Sequence, residues 1–172
     1  MCFHYQGGEL FAEGVDLKKI AKEVGTPFYC YSTDKLTRNF NAYRSALADL
    51  NGTVCYSIKA NPNLSVVAAL ARLGGGADVV SAGEMYVALK AGIPADKIVF
   101  SGVGKTEAEL EEAVRLGILQ INAESAAEVE TINRIAMAMG KKANLALRVN
   151  PDVDALTHVK ITTGTKENKF GV

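Results

Sequence analysis

Cysteine is scarce and scattered. The sequence holds three, Cys2, Cys30 and Cys55, with no Cys-x-x-Cys pair. That spacing argues against a disulfide scaffold and against a thiolate metal site, so the thiols read as free in a reducing, cytoplasmic compartment. A long apolar run is also lacking, which leaves no candidate for a membrane-spanning helix. The opening Met1-Cys2-Phe3-His4-Tyr5-Gln6 has neither the basic region nor the apolar core of a signal peptide. Nor is there an excess of charge of one sign: 19 basic residues balance 19 acidic ones, for a formal net charge of +0 and a pI of about 6.7. Without a basic stripe, neither nucleic acid nor an anionic membrane surface is an expected partner. No low-complexity segment and no linker-like shift in composition interrupts the chain. What remains is an ordinary globular composition, 48% apolar and 22% charged over 172 residues, long enough to bury a core.

The order of elements is more informative. Residues 1–24 are polar and glycine-containing until Leu17, Ile20, Ala21 and Val24 mark one face of a short helix stopped by Gly25. Thr26–Tyr31 reads as an apolar, aromatic strand. Ser32-Thr33-Asp34 offers an N-cap for a helix to about Leu50, with Leu36, Phe40, Tyr43 and Leu47 on its buried face. From Gly52 onward strand and helix alternate. The pattern predicts strands at Thr53–Ile58, Asp78–Ser81, Ile98–Ser101, Leu119–Asn122 and Leu145–Val149, each a near-continuous apolar run of the kind buried on both faces. Helices are expected near Leu64–Leu73, Glu84–Ala91, Glu107–Leu116 and Ala126–Met139. Some five βα units in a row leave two architectures open, a doubly wound sheet or most of a (β/α)8 barrel.

One stretch stands out chemically. Val54-Cys55-Tyr56-Ser57-Ile58-Lys59 reads as a buried strand ending on a lysine, with Asn61-Pro62-Asn63 breaking the pattern. If Lys59 faces inward, burial would lower its pKa and make it a nucleophile able to form a Schiff base; the alternative is a lysine reaching past the strand end into water. In a parallel sheet the carboxyl ends of the strands share one face, where active sites form. Asp78, inside an apolar strand, needs a partner. Arg148 shares a strand face with Ala146, where a small neighbour leaves room. Lys59, Asp78 and Arg148 together would partly neutralise one another and a bound anion. Ser81-Ala82-Gly83-Glu84 matches a capping box, which leaves Glu84 either a cap or a site residue. His158 and Lys169 fall in a loop rich in glycine and threonine.

Two glycine motifs are decoys. Ser101-Gly102-Val103-Gly104-Lys105-Thr106 sits where a phosphate loop would, but Val99 occupies the position of the required first glycine. Gly74-Gly75-Gly76 precedes a strand, the wrong side for a dinucleotide fingerprint.

Taken with their order and spacing, the motifs resemble a family. Tyr56-Ser57-Ile58-Lys59-Ala60-Asn61 is similar to the cofactor-lysine motif of the alanine-racemase-like, fold-type III, pyridoxal-phosphate enzymes. Asp78-Val79-Val80-Ser81-Ala82-Gly83-Glu84 and Arg148-Val149-Asn150-Pro151 resemble motifs of the decarboxylase branch. His158-Val159-Lys160-Ile161-Thr162-Thr163-Gly164 with Lys169-Phe170-Gly171 looks most like the diaminopimelate decarboxylase family.

The resemblance implies the first part of a (β/α)8 TIM-type barrel over residues 32–172, with residues 1–31 belonging to a separate β-domain. It implies pyridoxal 5′-phosphate as cofactor, an amino-acid substrate and a homodimer with shared active sites. Lys59 would carry the cofactor's aldehyde, Asp78 would stabilise the protonated lysine, Arg148 would contact the phenolic oxygen or phosphate edge, and Glu84 would support the cluster. His158 and Lys169 would belong to a substrate or interface loop. The activity implied is decarboxylation of meso-diaminopimelate to L-lysine, with ornithine, arginine or carboxynorspermidine decarboxylation, or a non-catalytic pyridoxal-phosphate barrel, as alternatives. The family's phosphate loop, its partner for the pyridine nitrogen and its cysteine–acid motif would lie downstream of Val172.

Overall fold

The computed structural model describes residues 2–152 and 171–172, and falls into two compact units, Met1–Val54 and Cys55–Val172. In the first unit, β1 (Phe3–Gln6), β2 (Glu9–Ala12) and β3 (Val15–Asp16) form an antiparallel meander with β2 in the centre. Gln6 pairs with Glu9 across the two-residue turn Gly7-Gly8, whose φ angles of 60° and 83° suit glycine and match the twist of a hairpin. α1 (Leu17–Val24) starts at an Asp16 cap. α2 (Thr33–Ala46) starts at Ser32, whose hydroxyl accepts the Lys35 N–H at 3.0 Å and donates to Glu13 at 2.7 Å. The same Glu13 oxygen accepts the Asp34 N–H at 2.9 Å, and this bond, ahead of the Ser32 hydroxyl, holds the Glu13 carboxyl below its ordinary value.

This unit departs from the sequence reading in three respects. The individual strands of the meander do not stand out in the residue pattern, because they are only two to four residues long and β1 and β3 are largely exposed. Thr26–Tyr31 is not a strand: among the described residues nothing pairs with it and Tyr29 is 89% exposed. Aromatic content favours a strand only where a partner strand exists. The buried face expected of α2 reduces to Phe40; Leu36 and Leu47 are half-buried and Tyr43 is exposed.

The second unit alternates as expected: β4 (Cys55–Ser57), α3 (Leu64–Arg72), β5 (Gly76–Val79), α4 (Ala82–Lys90), β6 (Ile98–Phe100), α5 (Glu107–Leu116), β7 (Gln120–Ala123), α6 (Ala126–Ala138) and β8 (Leu145–Leu147). All neighbouring strands are parallel, and their spatial order is their order in the chain, β4-β5-β6-β7-β8. A doubly wound sheet reverses its order at a switch point; an unbroken sequence of neighbours is the winding of a (β/α)8 barrel. The fold is therefore α/β, of the barrel type.

The strands are apolar on one face only, which corrects the expectation of burial on both. Ala77, Val79, Ile98, Phe100, Ile121 and Ala123 alternate outward and pack, with Ile58, against Val67, Met85, Leu110, Val114 and Ile132 of the helices. The opposite face carries Cys55, Ser57, Asp78, Gln120 and Asn122, with Gly76, Val99 and Ala146 between them, in register across the sheet. The sheet thus holds a core on its helical side and presents polar groups on the other.

Candidate active site

β4 ends at Ser57, and Ile58–Ala60 form a single turn of 3-10 helix before Asn63 caps α3. That turn decides where Lys59 goes. Ile58 is fully buried in the core, so Lys59, one residue on, is turned to the sheet's polar face. It lines a cavity of about 370 Å³ with Asp78, Ser101, Asn122, Glu124, Ala146, Leu147 and Arg148. Lys59 is exposed, not buried, and its amine makes no hydrogen bond or ion pair among the described residues.

Asp78 sits one strand over, opposite Ser57 in the ladder. Its carboxylate accepts the Ser57 hydroxyl at 3.0 Å and the Ser101 hydroxyl at 2.5 Å. Asn122 Nδ2 donates to Ser101 Oγ at 3.0 Å, and Gln120 Nε2 donates to Asn122 Oδ1 at 2.6 Å. Side chains from β4, β5, β7 and the residue after β6 are thereby linked across the polar face of the sheet with their donors running toward Asp78, and Asp78, Ser101 and Asn122 among them line the cavity. The partner that Asp78 needs is this pair of hydroxyls, rather than the lysine or the arginine anticipated for it. Cys55, on the same face, has its thiol pKa raised, first by burial and then by the Asp78 carboxylate.

Arg148 follows β8 and finds its counter-ion in a residue the sequence reading missed. Glu124, with a side chain 7% exposed, accepts Arg148 Nη1 at 3.1 Å. The other Glu124 oxygen accepts the Gly171 N–H at 3.0 Å. The chain at Gly171-Val172 runs beside residues 148–150, the Val172 N–H bonding Arg148 O at 2.9 Å and the Asn150 N–H bonding Val172 O at 2.9 Å. Lys59, Asp78 and Arg148 therefore share one cavity, as expected. Glu84 is not among its lining residues: its carboxylate accepts the Val80 N–H at 2.9 Å, and its N–H donates to the Ser81 hydroxyl at 3.2 Å. His158 and Lys169 lie outside the described residues. Ser57, Asn122 and Glu124 were detectable in principle, since each falls in phase with the alternation that turns Asp78 inward.

A family model described as "Pyridoxal-dependent decarboxylase, pyridoxal binding domain" matches residues 33–172. The chain belongs to this decarboxylase family. Curated relatives named diaminopimelate decarboxylase include those of Aquifex aeolicus, 53% identical over 98% of this chain and 40% of that protein, and of Pseudomonas aeruginosa, 51% identical over 99% and 41%. Among solved structures, diaminopimelate decarboxylase from M. jannaschii in co-complex with L-lysine superposes with a TM-score of 0.90 at 40% identity, over 99% of this chain and 41% of that one. The Helicobacter pylori enzyme complexed with L-lysine superposes at 0.87 with 48% identity, over 90% and 39%. The chain thus spans about two fifths of the length of the relatives it matches.

The cavity residues fit a pyridoxal group. An unengaged primary amine suits an aldehyde, a guanidinium suits an anionic oxygen, and a floor of hydroxyl and amide groups suits a ring with polar substituents. The volume lies in the range of cofactor clefts, about 300–1,000 Å³. Among the described residues no helix is long and apolar enough to cross a membrane.

Proposed function

We propose that this chain forms the pyridoxal-binding part of a diaminopimelate decarboxylase that converts meso-2,6-diaminopimelate to L-lysine. The observation that carries the reading is the convergence of Lys59, Asp78 and Arg148 on one cavity, and it is supported by about 50% identity to curated diaminopimelate decarboxylases. When bound, pyridoxal phosphate supplies an electrophilic aldehyde and a ring that takes up the electron pair released with carbon dioxide. The chain's own groups do the rest. Lys59 would offer its amine to the aldehyde and would hold a proton at Nζ whenever that amine is free. Asp78, fixed by Ser57 and Ser101, would supply a local negative charge in the cavity it shares with Lys59. Arg148, held by Glu124, would orient an anionic oxygen of the cofactor. Glu84 supports the site from behind by fixing the Val80 N–H at the end of β5.

Residues 1–31 are proposed to belong to a separate β-domain, a boundary supported by the β1–β3 meander and by a family match that begins at residue 33. His158 and Lys169 are assigned to a substrate or interface loop, and the enzyme to a cytoplasmic homodimer.

The test is an assay of the full-length gene product against meso-diaminopimelate, ornithine, arginine and carboxynorspermidine, following carbon dioxide and the amine product. Release of L-lysine from diaminopimelate alone is expected, and preference for another substrate would replace the assignment. Lys59→Ala should lose both the visible absorbance of bound cofactor and turnover. A variant that still gave a borohydride-reducible adduct on this chain and turned over normally would remove Lys59 from its role.

A further inference from the structure

Lys105, the lysine of the motif that only resembles a phosphate loop, points into the protein. Its side chain is 1% exposed. The ammonium donates to Gly102 O at 2.7 Å, to Asn122 O at 2.8 Å and to Glu128 Oε1 at 3.0 Å, and lies 5.6 Å from the centre of the Phe100 ring. A buried charge is tolerated only when its hydrogen-bonding capacity is met, and three acceptors with an aromatic face meet it here.

The partners give this cluster a direction. Gly102 follows Ser101, which bonds Asp78, and the side chain of Asn122 bonds Ser101; both Ser101 and Asn122 line the cavity. Glu128 uses its second oxygen to accept the Glu124 N–H at 2.7 Å. The Glu124 carboxylate in turn holds Arg148 and the Gly171 N–H. A single ammonium outside the cavity lining thus ties down the loops that carry Ser101, Asn122 and Glu124, and through Glu124 it reaches Arg148.

We propose that Lys105 is a positioning residue that acts through Glu128 and Glu124 to set Arg148 in the cofactor cavity. The proposal rests on the reading of the cavity as a pyridoxal-phosphate site. Its chemistry follows from the bonds: without the ammonium, two backbone carbonyls and one carboxylate are left buried without their donor, and Glu128 is released from the geometry that fixes Glu124.

The experiment uses the full-length gene product and two variants. Lys105→Met keeps the length of the side chain and removes the charge. Glu128→Gln keeps a carbonyl oxygen for Lys105 but cannot offer the Glu124 N–H a second acceptor oxygen, so it cuts one link and remains usable if Lys105→Met fails to fold. Amide exchange of Glu124 and Gly171 is measured alongside the pyridoxal-phosphate Kd from absorbance titration and Tm. Both amides should exchange roughly tenfold faster in Glu128→Gln. The Kd should rise by about five- to tenfold, the scale expected of a group coupled through a network. The loss of affinity in Glu128→Gln should not add to that of Arg148→Ala, because the path from Glu128 runs through Glu124 to Arg148. A fall in Tm with unchanged Gly171 exchange and unchanged Kd would make the cluster a structural brace only and overturn the proposal. So would fully additive losses in the Glu128→Gln, Arg148→Ala double variant. Failure of the unsubstituted protein to bind pyridoxal phosphate would instead defeat the functional reading, while the exchange data would still decide whether the link exists.

Discussion

Gly76 shows how closely the backbone approaches itself behind the cavity. A Cβ built there would lie 2.5 Å from Lys97 O and 2.8 Å from Cys55 Sγ, contacts that no rotamer change relieves on the backbone side. The glycine that looks like part of a phosphate motif is therefore needed for strand packing. Glu84 poses a sharper question, because its carboxylate already serves the Val80 N–H. Glutamine retains a carbonyl oxygen for that bond, so Glu84→Gln should shift stability by no more than about 0.5 kcal/mol, the effect of a well-tolerated change at a helix cap. If the carboxylate's charge also supports the cofactor cluster, turnover should fall at unchanged Tm. Equal activity with equal Tm would reduce Glu84 to a cap. Individual residues were legible where a charge interrupts an apolar pattern, as Lys59, Asp78 and Arg148 do. Asn122 and Glu124 fall in phase with the strand alternation, but polar groups at strand ends look like ordinary boundary residues until the register brings them beside Asp78 and Arg148.

Among the elements, a repeated device fixes the start of α4, α5 and α6. Ser81, Thr106 and Ser125 cap α4, α5 and α6, each accepting the N–H of a glutamate three residues on. The glutamates then differ in use. Glu109 closes a full capping box on Thr106 at 3.0 Å and also accepts the Ala82 N–H of α4 at 2.9 Å, so one carboxylate joins two helix starts. The Ala82 N–H first, and Thr106 next, hold its pKa below the ordinary value of 4.5. A lowered folded pKa gives stability that is present above the unfolded value and lost as pH falls through the folded one. The stability advantage of the unsubstituted protein over Glu109→Gln should therefore be full at neutral pH and shrink on acidification below 4.5. Chemical denaturation at a series of pH values checks this, and a constant difference would show that Glu109's charge plays no part. Helix positions from Leu64 onward were legible because apolar periodicity and Ser/Thr–Glu spacing agree. Strand ends were less so: β4 begins two residues later and ends one residue earlier than its apolar run, and β8 ends two residues before Val149. Thr26–Tyr31 failed because sequence carries no record of whether a pairing partner exists.

At the scale of the molecule, the sheet side that faces the helices is closed for β5, β6 and β7 but not for β8, where Leu145 and Leu147 are 40% and 54% exposed. β4 and β8 are the outermost strands of the five, and each therefore has one side without a strand neighbour among the described residues. The choice between open sheet and barrel could not be made from alternation alone, since both wind βα units with the same hand; it took the spatial order of the strands to decide it. Exposed strand edges and apolar faces recruit partners. Residues 1–172 prepared by themselves should accordingly self-associate, eluting above the monomer mass of 18.3 kDa. They should also bind pyridoxal phosphate at least roughly tenfold more weakly than the full-length gene product, a loss of about 1.4 kcal/mol or more. The reason is that these residues span about two fifths of the relatives they match, so a site built by the full length would draw on residues beyond them. Size-exclusion chromatography with light scattering, an absorbance titration and a carbon dioxide assay on the same preparation provide the check. A monomer that bound the cofactor as tightly as the full-length protein and released carbon dioxide would mean that these five βα units form a working site by themselves, and the proposal of a shared barrel site would have to be abandoned.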